Sequence, residues 1–253
     1  MNGPGAQNRE LLRRGAQAWG AALDEGQLDR FADFRTLLSD WNSRMNLTAI
    51  TDPKEVTERH FLDSLSPLSD PAARGRLLSP EATLIDVGTG AGFPGIPLAI
   101  VLPQLRVTLL DSLHKRILFL EQAVKTCALA NVTVLEGRAE DAARLPEHRE
   151  RYDIAAARAV ADLSPLCEYC LPFVRVGGCF LAYKGNDAEE EAERAKEAAG
   201  ILGGSEPSYY RYTVPGTDAG RTLIAVEKRS PVPDKYPRRA GMPTTRPLGA
   251  KKA

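Results

Sequence analysis

An acid two residues ahead of alternating glycines, Asp86-Val87-Gly88-Thr89-Gly90-Ala91-Gly92, is the spacing in this chain best suited to binding chemistry. Glycine lacks a Cβ and adopts positive φ at little cost, so such a turn lets backbone approach a nucleotide-like ligand closely. A helix opening after the turn adds unpaired N–H groups facing the same place. The carboxylate narrows the choice of ligand. A dinucleotide would set its pyrophosphate near Asp86 with nothing to offset the like charges. S-adenosylmethionine has no phosphate and carries a sulfonium, an ammonium and a carboxylate, so Asp86 would meet a cation. A second frame, Gly90, Gly92 and Gly95, fits G-x-G-x-x-G but begins inside the turn, beyond the strand. Gly88 directly abuts the apolar run Leu84 to Val87, which favours the first frame and adenosylmethionine.

A second acid supports that choice. Arg106-Val107-Thr108-Leu109-Leu110-Asp111 is an apolar run ending in Asp111, about 20 residues beyond the glycine turn, where a carboxylate accepts both ribose hydroxyls. Asp111 is equally suited to capping a helix that starts at Ser112 or Leu113, and one side chain can do both.

Positioning these residues requires strands that end together. Strand-like runs fall at 83–87, 106–111, 131–136, 152–157 and 178–184, and helical runs at 94–101, 113–128, 162–171 and 187–200. Their alternation implies a parallel sheet covered on both faces. Two further strands, Pro207–Val214 and Arg221–Lys228, joined by a turn-rich loop, read as a hairpin. A mostly parallel seven-stranded sheet closed by an antiparallel pair is the layout of an adenosylmethionine-dependent methyltransferase core. Ahead of it, roughly the first 70 residues read as helical: Phe31, Phe34, Leu37, Leu38 and Trp41 recur at helical spacing, and Val56 to Leu65 forms a second segment. The expected division is a helical region at 1–75, a catalytic domain at 76–229 and a basic, proline-rich tail at 230–253 that is extended and packs little.

Composition bounds the rest. Hydrophobic residues at 43% and charged residues at 26% are those of a globular chain, and no run approaches the ~18 apolar residues of a membrane span. Met1 to Glu10 is polar, which points to the cytoplasm. Four cysteines, including Cys167-Glu168-Tyr169-Cys170, make neither a disulfide framework nor a zinc site and read as buried thiols, so no metal is expected. The formal net charge of zero argues against global nucleic-acid binding. Charge is nevertheless uneven. Residues 187–197 form an acidic, solvated helix face, whereas the tail carries Lys235, Arg238, Arg239, Arg246, Lys251 and Lys252 against Asp234, a patch compatible with phosphate.

Several further segments make the chain resemble a known family. They are Asn46-Leu47-Thr48-Ala49-Ile50, Arg59-His60-Phe61-Leu62-Asp63-Ser64-Leu65, the glycine turn through Phe93-Pro94-Gly95-Ile96-Pro97, Leu110-Asp111-Ser112 with Lys115-Arg116, Arg158-Ala159, Lys184-Gly185, and Tyr236-Pro237-Arg238-Arg239 with Gly241-Met242-Pro243. Together, over about Phe31 to Leu248, they resemble the bacterial small-subunit (16S) ribosomal RNA guanine-N7 methyltransferases, the glucose-inhibited division protein B family. The resemblance implies a Rossmann-like class I α/β fold, S-adenosyl-L-methionine as cofactor and small-subunit ribosomal RNA, free or as ribonucleoprotein, as substrate. It implies cofactor contacts at Gly88, Phe93, Ala139, Glu140 and Arg158, beside Asp86, Gly90 and Asp111.

Guanine N7 has an in-plane lone pair and can attack the methyl directly, so the site needs alignment rather than a catalytic dyad or a nucleophilic cysteine. Candidates for holding the base are Asn46, His60, Asp63 and Arg158. Each has a plainer role: Asn46 as a turn residue, His60 as a satisfied core histidine, Asp63 paired with Arg59. Arg158 stands at a strand's C-terminal end, where open sheets place ligands. Lys115, Arg116, Lys184, Arg238 and Arg239 are candidates for the RNA backbone. A small-molecule or protein methyltransferase on the same core, a non-catalytic nucleotide-binding module and a dehydrogenase are the competing readings. A monomer is expected, because no long apolar interface stripe is present.

Overall fold

The structure, a computed structural model, describes residues 4–185 and 188–249. Lys251, Lys252 and Asp187, counted among the charged runs above, lie outside the described residues. The strands are Thr83–Val87 (β1), Arg106–Asp111 (β2), Val132–Glu136 (β3), Tyr152–Arg158 (β4), Val174–Lys184 (β5), Ser208–Thr213 (β6) and Gly220–Glu227 (β7). They form one seven-stranded sheet in the order β3-β2-β1-β4-β5-β7-β6. The first five strands pair in parallel, while β7 runs antiparallel to both β5 and β6. The fifth strand begins four residues earlier than the expected 178, because the sequence Val174-Arg175-Val176-Gly177 hides its extended start behind an exposed arginine and a glycine.

Alternate side chains of the sheet feed two cores: Leu84 packs into one and its neighbour Ile85 into the other. The first core is covered by Pro4–Ala18 (α1), Glu25–Met45 (α2), Gly95–Val101 (α5) and His114–Thr126 (α6), with Pro53–Val56 (α3) and Pro71–Leu77 (α4) at its rim. The second is covered by Ala139–Ala142 (α7), Leu163–Cys170 (α8) and Ala188–Ile201 (α9). The helical N-terminal region therefore shares a core with the sheet. Helix α2 starts with a capping box in which Asp24 and Gln27 bond each other's backbone N–H, and it buries Phe31, Phe34 and Leu38 as their spacing requires. Phe34 meets Phe61 at 5.8 Å and Phe93 at 5.4 Å between ring centroids, which joins α2 to the glycine turn.

Two elements depart from expectation. The segment read as a helix over Val56 to Leu65 is α3 followed by a π-helical turn, Thr57–Leu62. Such a turn has wider-spaced hydrogen bonds and recurs at functional sites. The tail after Ser230 does pack. Val232, Tyr236, Pro237 and Pro243 are buried, and Arg149 donates to the carbonyls of Tyr236 (2.9 Å) and Val232 (3.0 Å). It ends in a short helix, Met242–Thr245 (α10), against α8. All four cysteines are buried and free, and burial pushes the thiols of Cys127, Cys167 and Cys179 up to about 12.

Candidate active site

The strand order reverses between β1 and β4, and at such a switch point the carboxyl ends of an open sheet leave a crevice. Two adjoining cavities occupy it, and Gly88, Arg116 and Ala159 line both.

The first cavity, of about 490 Å³, is walled by Gly88, Asp111, Ala139, Glu140, Tyr169 and Thr244 among others. Gly88 adopts φ +71°, and a Cβ there would stand 2.8 Å from Val160 Cγ2, so only glycine fits the turn without displacement. Asp111 fastens this turn to β2. Its Oδ2 accepts from the Gly90 N–H at 3.0 Å and from Arg116 at 3.2 Å, and its Oδ1 accepts from the Leu113 N–H at 3.0 Å. A carboxylate offers about four lone pairs, so Asp111 holds the turn that leads into α6 and still has acceptor capacity toward the cavity.

Asp86 is fully buried beneath the turn. Its Oδ2 accepts from the Thr89 hydroxyl at 2.5 Å and the Gly95 N–H at 2.8 Å, while Oδ1 has no partner among the described residues. Burial pushes the carboxyl up to about 6. The expected direct meeting with a ligand cation is corrected accordingly: Asp86 lines neither cavity and acts from below, holding the turn and the start of α5.

S-adenosylmethionine fits this first cavity. Backbone approach is free at the turn, Asp111 and Glu140 offer acceptors to hydroxyls, and an unpartnered carboxylate oxygen lies under the turn. The cavity's two arginines each face an acid, Asp111 for Arg116 and Glu140 for Arg138, so a pyrophosphate there would meet those carboxylates as well.

The tail completes the cavity. Thr244 and Pro247 stand in its wall, the Thr244 and Tyr169 hydroxyls are 2.6 Å apart, and the Gly241 N–H donates to Glu140 Oε1 at 2.8 Å. Behind them Arg238 grips the fully buried Glu168 through Nε (2.9 and 3.0 Å), Nη2 (2.6 Å) and its own backbone N–H (2.7 Å). Arg238 thus has a buried partner within the chain rather than standing free as expected for an RNA contact. Glu168, Tyr169, Thr244 and Pro247 were missed by the sequence reading. One signal was present: an acid inside the apolar run Leu166-Cys167-Glu168-Tyr169-Cys170 must find a buried partner.

The second cavity, of about 550 Å³, opens between the N-terminal elements and β4, lined by His60, Asp63, Phe93, Arg158, Tyr183 and Tyr212 with others. Arg158 Nη1 donates to Asp63 Oδ2 at 3.0 Å and to the Arg59 carbonyl at 3.3 Å, and its guanidinium lies 5.0 Å above the Phe93 ring. Tyr212 donates its hydroxyl to Asp63 Oδ1 at 2.9 Å. His60 stacks on Phe93 at 4.6 Å and 16°, and burial followed by the charge of Arg158 lowers its pKa to about 3. It is therefore neutral at any physiological pH. Arg59 pairs with Glu55 at 3.3 Å, so the plainer pairing considered for Asp63 is replaced by Arg158.

His60, Asp63, Phe93 and Arg158 are brought together. Asn46 is not. It ends α2 in the left-handed conformation (φ 50°) and lines a separate cavity beside α2; Thr48, two residues on, borders both that cavity and the second one. Phe93 and Arg158, expected at the cofactor, stand in the second cavity. Lys184 is taken up by Glu191 (2.6 Å) and the Ala161 carbonyl (2.8 Å), whereas Arg116 gives Asp111 a single bond from Nη1 and keeps its other donors at the rim of both cavities. Lys115 and Arg239 are exposed. Arg221, not singled out from sequence, and Arg59 also stand at the rim.

Among the described residues no group of three or more His, Cys, Asp or Glu could hold a metal, and no helix is long and apolar enough to cross a membrane.

Comparison with known proteins agrees with this geometry. Residues 27–214 match the family described as GidB, rRNA small subunit methyltransferase G. A protein of Acetivibrio thermocellus named ribosomal RNA small subunit methyltransferase G is 47% identical over 240 residues, covering 95% of this chain and 96% of its own length. One of the same name from a Roseiflexus species is 46% identical over 241 residues, covering 94% and 99%. The fold is also that of an O-methyltransferase from Bacillus cereus solved with S-adenosylhomocysteine, with a TM-score of 0.54 at 19% identity over 78% of this chain and 91% of that one. A class I methyltransferase sheet, a glycine turn under a cofactor-sized cavity and relatives matched along nearly their whole length place this chain in the rRNA small subunit methyltransferase G family.

Proposed function

We propose that this chain methylates N7 of one guanine in small-subunit (16S) ribosomal RNA, using S-adenosylmethionine. The observation that carries this reading is the junction of the two cavities at Gly88 and Ala159, one fitting the cofactor and the other rimmed by arginines. When bound, S-adenosylmethionine supplies an electrophilic methyl group on sulfur. Gly88, Gly90, Asp111, Ala139 and Glu140 would hold it.

The residues of the second cavity suit a nucleophile that needs no base. Neutral His60 on Phe93 gives a flat wall for a purine, and it takes up no proton in the working pH range. Asp63 carries negative charge beside the place where the ring becomes cationic, and Arg158 and Tyr212 hold it still. Correct placement of two reactants supplies about 7–11 kcal/mol at best, and that is the task left to these side chains. Lys115 and Arg239 remain as phosphate contacts that position without reading sequence. The enzyme so described works in the cytoplasm as a monomer, on small-subunit RNA, free or as ribonucleoprotein.

Labelled S-adenosylmethionine, small-subunit particles and protein-free ribosomal RNA from cells lacking the protein provide the test, followed by chemical cleavage at 7-methylguanosine. One new cleavage site is expected. Cofactor binding with no transfer to either RNA would defeat the reading.

A further inference from the structure

The His60 side chain can be assigned a tautomer, and the assignment has a consequence for Thr48. Arg158 Nη2 lies 3.4 Å from His60 Nδ1, and a guanidinium can only donate. With Nδ1 as the accepting nitrogen of the neutral ring, the proton sits on Nε2. Thr48 Oγ1 lies 2.8 Å from Nε2 and so accepts from it. The same oxygen accepts from the Ile50 N–H at 3.0 Å. A hydroxyl has two acceptor positions and one donor. Both acceptor positions are taken, and these are the two hydrogen bonds that Thr48 Oγ1 makes among the described residues. Its O–H is left as a donor without an acceptor, on a residue that lines the second cavity.

We propose that Thr48 is a specificity-determining residue, donating its hydroxyl hydrogen bond to the exocyclic O6 of the acceptor guanine. This rests on the functional reading above. Guanine presents N7 and O6 as adjacent acceptors on one edge, whereas adenine presents N7 beside a donating N6 amino group. A donor fixed by His60 and Ile50 rewards the first and meets the second donor to donor. It leaves the N7 lone pair free to attack. A neutral hydroxyl is also the milder choice here, since a cation on O6 would draw more electron density from N7. The relay runs from Arg158 through His60 to Thr48, so Arg158 orders the donor from across the cavity.

The test compares Thr48→Val, which removes the hydroxyl at nearly constant shape, with Thr48→Ser, which keeps it. Acceptors are small-subunit particles reconstituted from RNA carrying either guanine or 2-aminopurine, which has no O6, at the position the wild-type enzyme methylates. Calorimetric binding of S-adenosylhomocysteine checks that each variant is folded. One neutral hydrogen bond is worth about threefold to tenfold in kcat/KM. Wild type and Thr48→Ser are expected to prefer guanine over 2-aminopurine by about that factor, and Thr48→Val to treat the two bases alike. A Thr48→Val enzyme that keeps the full preference, or that slows equally on both bases, would overturn the assignment and make the hydroxyl structural only. A wild-type enzyme that binds S-adenosylhomocysteine but methylates neither particle would overturn the functional reading itself, and the Thr48 assignment with it.

Discussion

The two cavities share three residues yet are built by opposite means. The cofactor cavity is a backbone construction: a glycine turn and the ends of β1 to β3, tightened by buried carboxylates that accept from backbone N–H groups. The acceptor cavity is a side-chain construction, in which Asp63, Arg158 and Tyr212 come from the N-terminal helices, the centre of the sheet and its edge hairpin. A ligand gripped by backbone tolerates substitution around it. One aligned by a relay of side chains loses its alignment when any member goes.

The largest effect that would break this comparison lies behind the cofactor cavity. Arg238→Ala strands the Glu168 carboxylate, which has no exposure at all. Leaving a buried charge unpaired costs about 3–5 kcal/mol, and the urea midpoint should fall accordingly. An unchanged midpoint would mean that the tail is dispensable to the fold.

Next in size is Arg158→Ala. It unpairs Asp63 and frees His60, and methyl transfer should drop by about 100-fold, the scale of a small misplacement of reactants. S-adenosylhomocysteine affinity should change less than threefold, because Arg158 lines the second cavity and not the first. Equal losses in both would merge the two cavities into one functional unit.

Asp111→Ala should act the other way round. It removes the acceptor for Gly90, Leu113 and Arg116 at once. Cofactor affinity is expected to fall by about tenfold or more, the worth of charged hydrogen bonds, with RNA binding little changed. Calorimetry on each ligand separates the two.

The smallest effect is on pH. Burial raises the Asp86 carboxyl to about 6, and a bound cation would favour its ionised form. Binding then expels a proton below pH 6, so cofactor affinity should weaken as pH falls through about 6, by at most tenfold per unit. Asp86→Asn should flatten that slope. His60, held neutral down to about pH 3, should add no inflection to kcat between pH 5 and 8.

Legibility in the sequence followed the same division. The glycine turn, the acid at the tip of β2 and the strand–helix alternation are local patterns, and the sheet they imply is the sheet observed. His60, Asp63 and Arg158 were named as candidates, but their mutual bonding was not, because no local pattern encodes a contact between residues 63 and 158. The basic residues were misjudged for a related reason. A charge reads as free until its partner is found, and the partners of Arg238 and Lys184 are Glu168 and Glu191. Asn46 failed differently. A helix-ending residue in the left-handed region is placed by backbone need, and its side chain faces where that leaves it.

The tail that walls the cofactor cavity is also synthesised after every strand of the sheet. While the chain is still being made, every strand can have left the ribosome and the glycine turn can have closed, yet Glu168 faces no guanidinium and Glu140 no Gly241. The cavity gains its last wall only when residues 238–247 arrive and dock. An rRNA methyltransferase is thereby kept from closing its cofactor site until residues 238–247, C-terminal to every strand of its sheet, have emerged and docked.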